Sequence, residues 1–275
     1  MSQGEEEVKS SLHRQQSITP TQPKQEANRY SRRSILRSEK MYGAGFQSPG
    51  GLDAVEGFCR KLHMRQGMKV LEVGSGLGGS AFYIAETYDA EVLGLDVSAE
   101  MVALSNERKE EKGLSNVSFR HGDIQTSNLE TGAFDLVWTR DCILYVLEKN
   151  VVWNNVYLTL KPGGQLFVAD FCRGRGSLSD EFETYLEECQ YHLLTLDAYV
   201  RTLEAAGFKQ IHMEDITTAF IDGLRQEKEQ LVDSREVFLR EFGENDYDYL
   251  IDRWDKKIRF CERGDFKYGL FVAMR

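Results

Sequence analysis

Residues 70 to 80 read Val70-Leu71-Glu72-Val73-Gly74-Ser75-Gly76-Leu77-Gly78-Gly79-Ser80, and a solitary acid, Asp96, ends the apolar run that follows. An apolar run halted by clustered glycines describes a buried strand passing into a tight turn. The span behind the turn, 78–87, suits a helix, and 91–96 suits a second strand with a carboxylate at its tip. A carboxylate there can accept both hydroxyls of a ribose. The pattern therefore demands an α/β sheet whose strand ends face a nucleoside.

Three nucleoside sites compete. A dinucleotide fold also places an acid about 20 residues beyond its glycines. Glu72, however, stands just before the first glycine, where it would repel a pyrophosphate approaching the helix N-terminus. A P-loop is excluded, because no Gly-Lys-Ser/Thr follows the turn. S-adenosylmethionine, with a sulfonium, an ammonium and no phosphate, fits a site holding an extra carboxylate. A glycine turn of purely structural use is the plain alternative.

The remaining composition narrows the classes of partner. The chain has 275 residues, 41% of them hydrophobic, enough for one sizeable core with an appended lid. A formal charge of −10 argues against nucleic acid, whose phosphates need a basic face. Five scattered cysteines, Cys59, Cys142, Cys172, Cys189 and Cys261, form no Cys-x-x-Cys and suit reduced cytosolic thiols. No apolar run reaches the ~20 residues of a membrane span, and the N-terminus lacks an apolar signal core. The expectation is a soluble, cytoplasmic monomer that acts on a small molecule and holds no metal.

Residues 1–28 are polar, hold two of the four prolines, and read as a disordered tail. The rest, 29–275, reads as one domain. Lid helices (30–42 and 52–63, joined by a glycine-rich loop at 43–51) fill 29–63, and a cofactor-binding core fills 64–172. Its strands are expected at 69–73, 91–96, 117–121, 134–139 and 165–170, with helices at 78–87, 99–112 and 148–160 and a Lys161-Pro162-Gly163-Gly164 turn. Strands separated by helical spans imply a doubly wound, mostly parallel sheet. An acceptor-side lid, 173–275, is expected to hold helices at 180–193 and 196–206, a strand near 210–215, a charged, solvated helix at 224–242, and a closing strand at 268–274.

A third element supports the methyl donor. In His121-Gly122-Asp123-Ile124, just past a strand, Asp123 can accept from an adenine amino group while Ile124 covers the ring. Gly-Asp is also an ordinary strand-ending turn. Glu72, Gly74, Ser75, Gly76, Asp96, Asp123 and Ile124, with the later Lys-Pro-Gly-Gly, together resemble the class I, Rossmann-like S-adenosylmethionine-dependent methyltransferases over about residues 50–172. Val97 and Met101, just after Asp96, join the cofactor set.

On the acceptor side, a pocket for a small amine combines aromatic faces with a carboxylate, since both attract an ammonium. Tyr30, Asp141 and Tyr145 are the candidates, although Asp141 also suits a helix N-cap. The string Ser34-Ile35-Leu36-Arg37, Gly50-Gly51-Leu52, the glycine turn and Arg140-Asp141-Cys142-Ile143-Leu144 are similar to the phosphoethanolamine N-methyltransferase family, from about residue 30 to the C-terminus. The resemblance implies stepwise N-methylation of phosphoethanolamine towards phosphocholine. It implies that Tyr30 is a catalytic lid tyrosine, that Asp141 holds the amine, and that Gln47, Ser48 and Arg140 lie by the cofactor. It places Tyr191 and Lys257, or its neighbour Lys256, near the phosphate, with Tyr185 among the acceptor-binding residues.

The chain departs from the family at several of these positions. Tyr145 stands where the family has a histidine, Ser38 and Phe171 stand where it has tyrosines, and Cys189 where it has a phosphate-binding arginine. A thiol cannot replace a bidentate guanidinium on phosphate. A non-phosphorylated amine or other small acceptor is therefore an alternative, and a catalytically silent cofactor-binding module is another.

Overall fold

The computed structural model describes residues 31–275. The expected disordered tail of 1–28 and the lid tyrosine Tyr30 lie outside the described residues. Seven strands form one sheet in the order β3-β2-β1-β4-β5-β7-β6. They are β1 (Lys69–Val73), β2 (Glu91–Asp96), β3 (Val117–His121), β4 (Phe134–Arg140), β5 (Leu160–Arg173), β6 (Lys209–Asp215) and β7 (Phe266–Met274). The first five run parallel, and β7 is antiparallel to both its neighbours, β5 and β6. The mostly parallel α/β expectation holds. β1 lies between β2 and β4, so strand order reverses there, and the crevice that ligands use opens at its carboxyl end.

Alternation along the strands divides two cores. Val70, Trp138 and Phe167 face one side, where Trp138 stacks on Phe167 at 4.1 Å. Leu71, Val73, Val137, Leu166 and Val168 face the other, against Trp153 and Tyr199. The expected 161–164 turn lies inside β5. Phe134 pairs with Leu160 and Leu136 already pairs with Gln165, so the residues between bulge out of the ladder.

Ten α-helices are described. On the core side they are α1 (Arg32–Tyr42), α2 (Gly51–Cys59), α3 (Gly79–Tyr88), α4 (Ala99–Lys112) and α5 (Lys149–Thr159). Ser31, whose hydroxyl accepts from the Ser34 amide at 3.3 Å, starts α1. Beyond β5 lie α6 (Asp180–Cys189), α7 (Leu196–Ala205), α8 (Thr217–Asp233), α9 (Arg235–Phe242) and α10 (Glu244–Arg263). No helix among the described residues is long and apolar enough to cross a membrane.

Three expectations change. The helix expected to reach 193 stops at Cys189, because Gln190 turns left-handed at φ 56°. The single helix expected at 224–242 is two, broken at Ser234, and only one face is solvated: Leu224, Glu227, Leu231, Phe238 and Phe242 are buried on the other. The 20-residue α10 was not anticipated at all.

Candidate active site

The turn after β1 takes its shape from glycines in the left-handed region. Gly74, Gly76 and Gly78 have φ of 75°, 50° and 85°, the region that L residues avoid. A Cβ on Gly74 would lie 2.3 Å from the Cys142 sulfur. Gly74→Ala is thus expected to lower stability by about 2–4 kcal/mol, measurable as a loss in denaturant midpoint, whereas Gly113→Ala, with the same left-handed φ but open space, is expected to cost about 1 kcal/mol.

Asp96 closes this turn from the next strand. One carboxylate oxygen accepts from the Gly76 amide and the other from the Ser98 amide, both at 2.8 Å. Each oxygen keeps a lone pair for a hydroxyl. Burial raises the Asp96 carboxyl above its ordinary value, against those two amides and His121. Val97 beside it is 64% exposed. Asp123 is half-buried, accepting from the Gln125 amide at 2.8 Å. Ile124 next to it packs into the core with Val73 and Leu95. Met101 is buried with Ile35, Leu77 and Leu104, so it seats α1 on the turn.

The cleft itself is lined by Glu72, Gly74, Ser75 and Gly76 from the turn, Gln47 and Ser48 from the lid loop, and Arg140 from β4. Glu72 is buried, with Oε2 unpartnered, and the Ser75 hydroxyl is buried and unpartnered as well. Burial pushes the Glu72 carboxyl up to about 8, opposed by hydrogen bonding from Ser80, with Asp96 raising it and Arg140 lowering it. An unsatisfied buried carboxylate invites a cation.

The lid loop is fastened at several points. Gly79 N donates to Gly45 O at 3.1 Å, and a Cβ on Gly79 would meet that oxygen at 2.6 Å. Gln47 donates to the carbonyl of Ile35 at 3.1 Å, and Arg140 donates to the carbonyls of Pro49 and Gly51. Helix α1 is held in turn by Arg33 and Arg37 on Asp246 and by Arg108 on Glu39. Ser38 on that helix is half-buried.

Asp141 follows Arg140 with φ 50°, a conformation uncommon for a side-chain-bearing residue. Both carboxylate oxygens are buried without a hydrogen-bond partner, and the nearest charge is Arg140 Nε at 3.9 Å. It caps no helix: the short 3-10 turn at Ile143–Tyr145 begins after Cys142 with no side-chain cap. Lys149 braces this segment by donating to the carbonyls of Ile143 and Val146 at 2.8 and 2.7 Å.

A cluster of aromatic rings is linked to Asp141 through Tyr268. Tyr145 meets Tyr191 edge-on at 5.4 Å, and Tyr191 meets Tyr185 at 6.0 Å. Phe171 is buried among Phe266, Tyr268 and Phe220, and Lys257 Nζ sits 4.6 Å over its ring. Burial pushes the Lys257 amine down to about 7, with Arg253 adding to the drop and Asp141 opposing it. Cys189, half-buried, interacts with both Tyr185 and Lys257. Every described candidate on the acceptor side except Ser38 is thus linked into one neighbourhood by these contacts.

Four participants escaped sequence reasoning. Arg253, one turn before Lys257 on α10, donates to Tyr249 Oη at 2.8 Å and interacts electrostatically with Tyr191, Tyr185 and Tyr42. Asp141 and Glu227 act on Lys257 electrostatically without forming a salt bridge to it. Glu227 on α8 is 7% exposed. Its Oε1 accepts from the Gly50 amide at 2.6 Å, and its Oε2 is buried without a partner. Tyr42, at the end of α1, and Tyr268, on β7, complete the ring; each phenol is raised above its ordinary value by burial first, with Glu227 adding to the rise for Tyr42 and Asp141 for Tyr268. A larger open groove of about 570 Å³ between α8 and α10, lined by Arg225, Lys228 and Asp255, pairs its charges and shares no residue with these sites.

A mostly parallel sheet with an antiparallel β7, a glycine turn after β1 and an acid at the tip of β2 define a class I methyltransferase. A family model described as a methyltransferase domain matches residues 64–207. The chain is 33% identical to the phosphoethanolamine N-methyltransferase of Plasmodium falciparum over 253 residues, covering 91% of this chain and 94% of that one. It is 38% identical to phosphoethanolamine N-methyltransferase 1 of Triticum aestivum over 246 residues, 90% of this chain and 49% of the wheat protein. A solved Haemonchus contortus phosphoethanolamine N-methyltransferase 2, in complex with phosphomonomethylethanolamine and S-adenosylhomocysteine, superposes with a TM-score of 0.89 at 29% identity, covering 91% of this chain and 58% of that one. This chain belongs to the phosphoethanolamine N-methyltransferase family. It spans about half the length of the plant relatives it matches and nearly all of the Plasmodium protein.

Proposed function

We propose that this chain transfers methyl groups from S-adenosylmethionine to the amine of phosphoethanolamine, stepwise towards phosphocholine. The observation that carries this reading is the division of charge within one cluster of interacting side chains. Asp141 and Glu227 present buried carboxylate oxygens without a hydrogen bond, and Lys257, which both act on electrostatically, lies with Arg253 beside them on α10. A zwitterion with an ammonium at one end and a phosphate at the other satisfies both sets, and a simple amine satisfies one.

The cleft fits the methyl donor on its own geometry. Asp96 would accept from the ribose hydroxyls, Asp123 would lie by the adenine, and Glu72 would meet the ammonium of the amino-acid part. Val97, Gln47, Ser48, Ser75 and Arg140 would frame it. The donor supplies an electrophilic methyl on a sulfonium, and the chain's own work is to bind, align and exclude water. Tyr145, Tyr185 and Tyr191 would enclose the acceptor, with Asp141 holding its ammonium. Phe171 carries Lys257 over its ring, and Arg253 supplies the guanidinium that Cys189 does not. Tyr30, outside the described residues, remains a candidate for the lid side of the amine.

The test is labelled-methyl transfer to phosphoethanolamine with product identification, beside Asp141→Asn. Mono-, di- and trimethylated products from the wild type and a rate at least about 10²-fold lower in the variant are expected; no transfer to any amine removes the reading.

Cofactor binding also carries a pH signature. Glu72, raised to about 8, is mostly protonated at pH 7 in the free protein. A bound ammonium favours its carboxylate, so binding lowers that pKa and releases close to one proton near neutrality. Affinity is expected to rise with pH from 7 and level off above about 8. Calorimetry in buffers of different ionisation heat checks this, and Glu72→Gln abolishes the release.

A further inference from the structure

We propose that Glu227 is the proton acceptor for the substrate amine, acting through Oε2. The inference rests on the amine-methylation reading above and goes beyond it by naming the base that stands in for the histidine this chain lacks at Tyr145.

Among the described residues, Glu227 is one of three carboxylates, with Glu72 and Asp141, that keep a buried oxygen without a hydrogen bond. Its other oxygen is fixed by the Gly50 amide, on the same loop whose Gln47 and Ser48 line the cofactor cleft. That anchor ties α8 to the lid loop 177 residues away in sequence, and Arg140, which lines the cofactor cleft, acts on Glu227 electrostatically, as does Asp141. The groups that face it are Tyr42 from α1, Arg140 and Asp141 from the end of β4, and Lys257 from α10, while Tyr268 from β7 faces Arg140 and Asp141 in turn. Burial raises Glu227 to about 7, with the Gly50 amide, Lys257 and Arg140 opposing the rise. That is the range in which a carboxylate accepts a proton usefully at neutral pH.

The neighbours suit the task less well. The phenols of Tyr42, Tyr185, Tyr191 and Tyr268 are all raised by burial and stay protonated. Asp170 is also buried, but one oxygen accepts from Tyr199 Oη at 2.9 Å and the other from the Phe171 amide at 3.0 Å. Glu72 belongs to the cofactor cleft.

In the step itself an ammonium N–H bond breaks, its proton passing to Glu227 Oε2 and its electron pair staying on nitrogen. That pair forms the N–CH3 bond while the S–CH3 bond breaks with its electrons left on sulfur. The products are the methylated ammonium, S-adenosylhomocysteine and a protonated Glu227, which returns its proton to solvent. Each further methylation needs the same removal again.

Glu227→Gln separates base from anchor, because its amide oxygen still accepts from Gly50. Rates are measured against pH for wild type and variant, with S-adenosylhomocysteine affinity by calorimetry. Wild-type kcat/KM for phosphoethanolamine is expected to rise through about pH 7. The variant is expected to be about 10²–10³-fold slower at pH 7, to bind S-adenosylhomocysteine as the wild type does, and to recover as pH approaches the amine's own pKa, where solvent supplies the neutral amine. Glu227→Asp, which keeps a carboxylate, is expected to retain the acidic limb at reduced rate. A Gln variant with wild-type rate and profile overturns the proposal. So does a deficit constant with pH, or one matched by lost S-adenosylhomocysteine affinity, since either marks a positioning residue. A wild type that binds the donor but methylates no amine removes the underlying reading, and the wild-type arm alone reveals it.

Discussion

Replacing Asp96 by alanine is expected to weaken S-adenosylmethionine binding by about 10²–10³-fold, or roughly 3–4 kcal/mol. The carboxylate serves two structures at once. Its oxygens hold the amides of Gly76 and Ser98, and the lone pairs left over are those a ribose would use. Hydrogen bonds to a charged group contribute about 1.5–3 kcal/mol each, so losing two ribose contacts accounts for most of the effect. Asp96→Asn keeps the shape and one acceptor oxygen, and about a tenfold loss is expected. Calorimetry with S-adenosylhomocysteine checks both. An unchanged affinity in the alanine variant would remove the ribose from this strand tip.

Arg253→Met is expected to raise KM for phosphoethanolamine by about 10²-fold while changing that for ethanolamine less than threefold. The reasoning is a difference between acceptors. A guanidinium on a dianion contributes through charge-assisted bonds of about 1.5–3 kcal/mol, and an acceptor without phosphate never makes them. Lys257, already pushed down to about 7 by burial and by Arg253, gains from the same anion, which restores its charge. Losses in the Arg253→Met, Lys257→Met double variant are therefore expected to exceed the sum of the single losses, because removing Arg253 alone relieves the depression of Lys257 and leaves it better charged for the phosphate. Equal effects on both acceptors would mean that Arg253 only packs α10 against the tyrosines.

The cofactor half of this fold was legible because local chemistry dictates it. Strand, glycine turn and acid are adjacent in sequence, and the geometry of Gly74, Gly76 and Asp96 follows from sterics and a single neighbouring strand. The acceptor half is assembled from distant elements. Glu227 meets Gly50 only because α8 packs across the lid loop, so its charge among Lys228 and Glu229 looked like a solvated face. Helix α10 carries a helical signal in its sequence, but a masked one. Tyr247, Leu250, Trp254, Lys257 and Cys261 recur at helical spacing and are buried, but a lysine in the stripe and acids around it disguise the period. Cys189 pointed to a missing phosphate contact, and no reading of its own neighbourhood reveals Arg253 four helices later in the chain.

The most direct test of the account is the ratio of kcat/KM for phosphoethanolamine to that for ethanolamine, measured on the wild-type chain with S-adenosylmethionine near saturation. Two cations facing a phosphate predict a ratio of about 10³ or more, from roughly 4 kcal/mol of contacts that only the phosphorylated acceptor makes. A ratio near one, or one favouring ethanolamine, would contradict it.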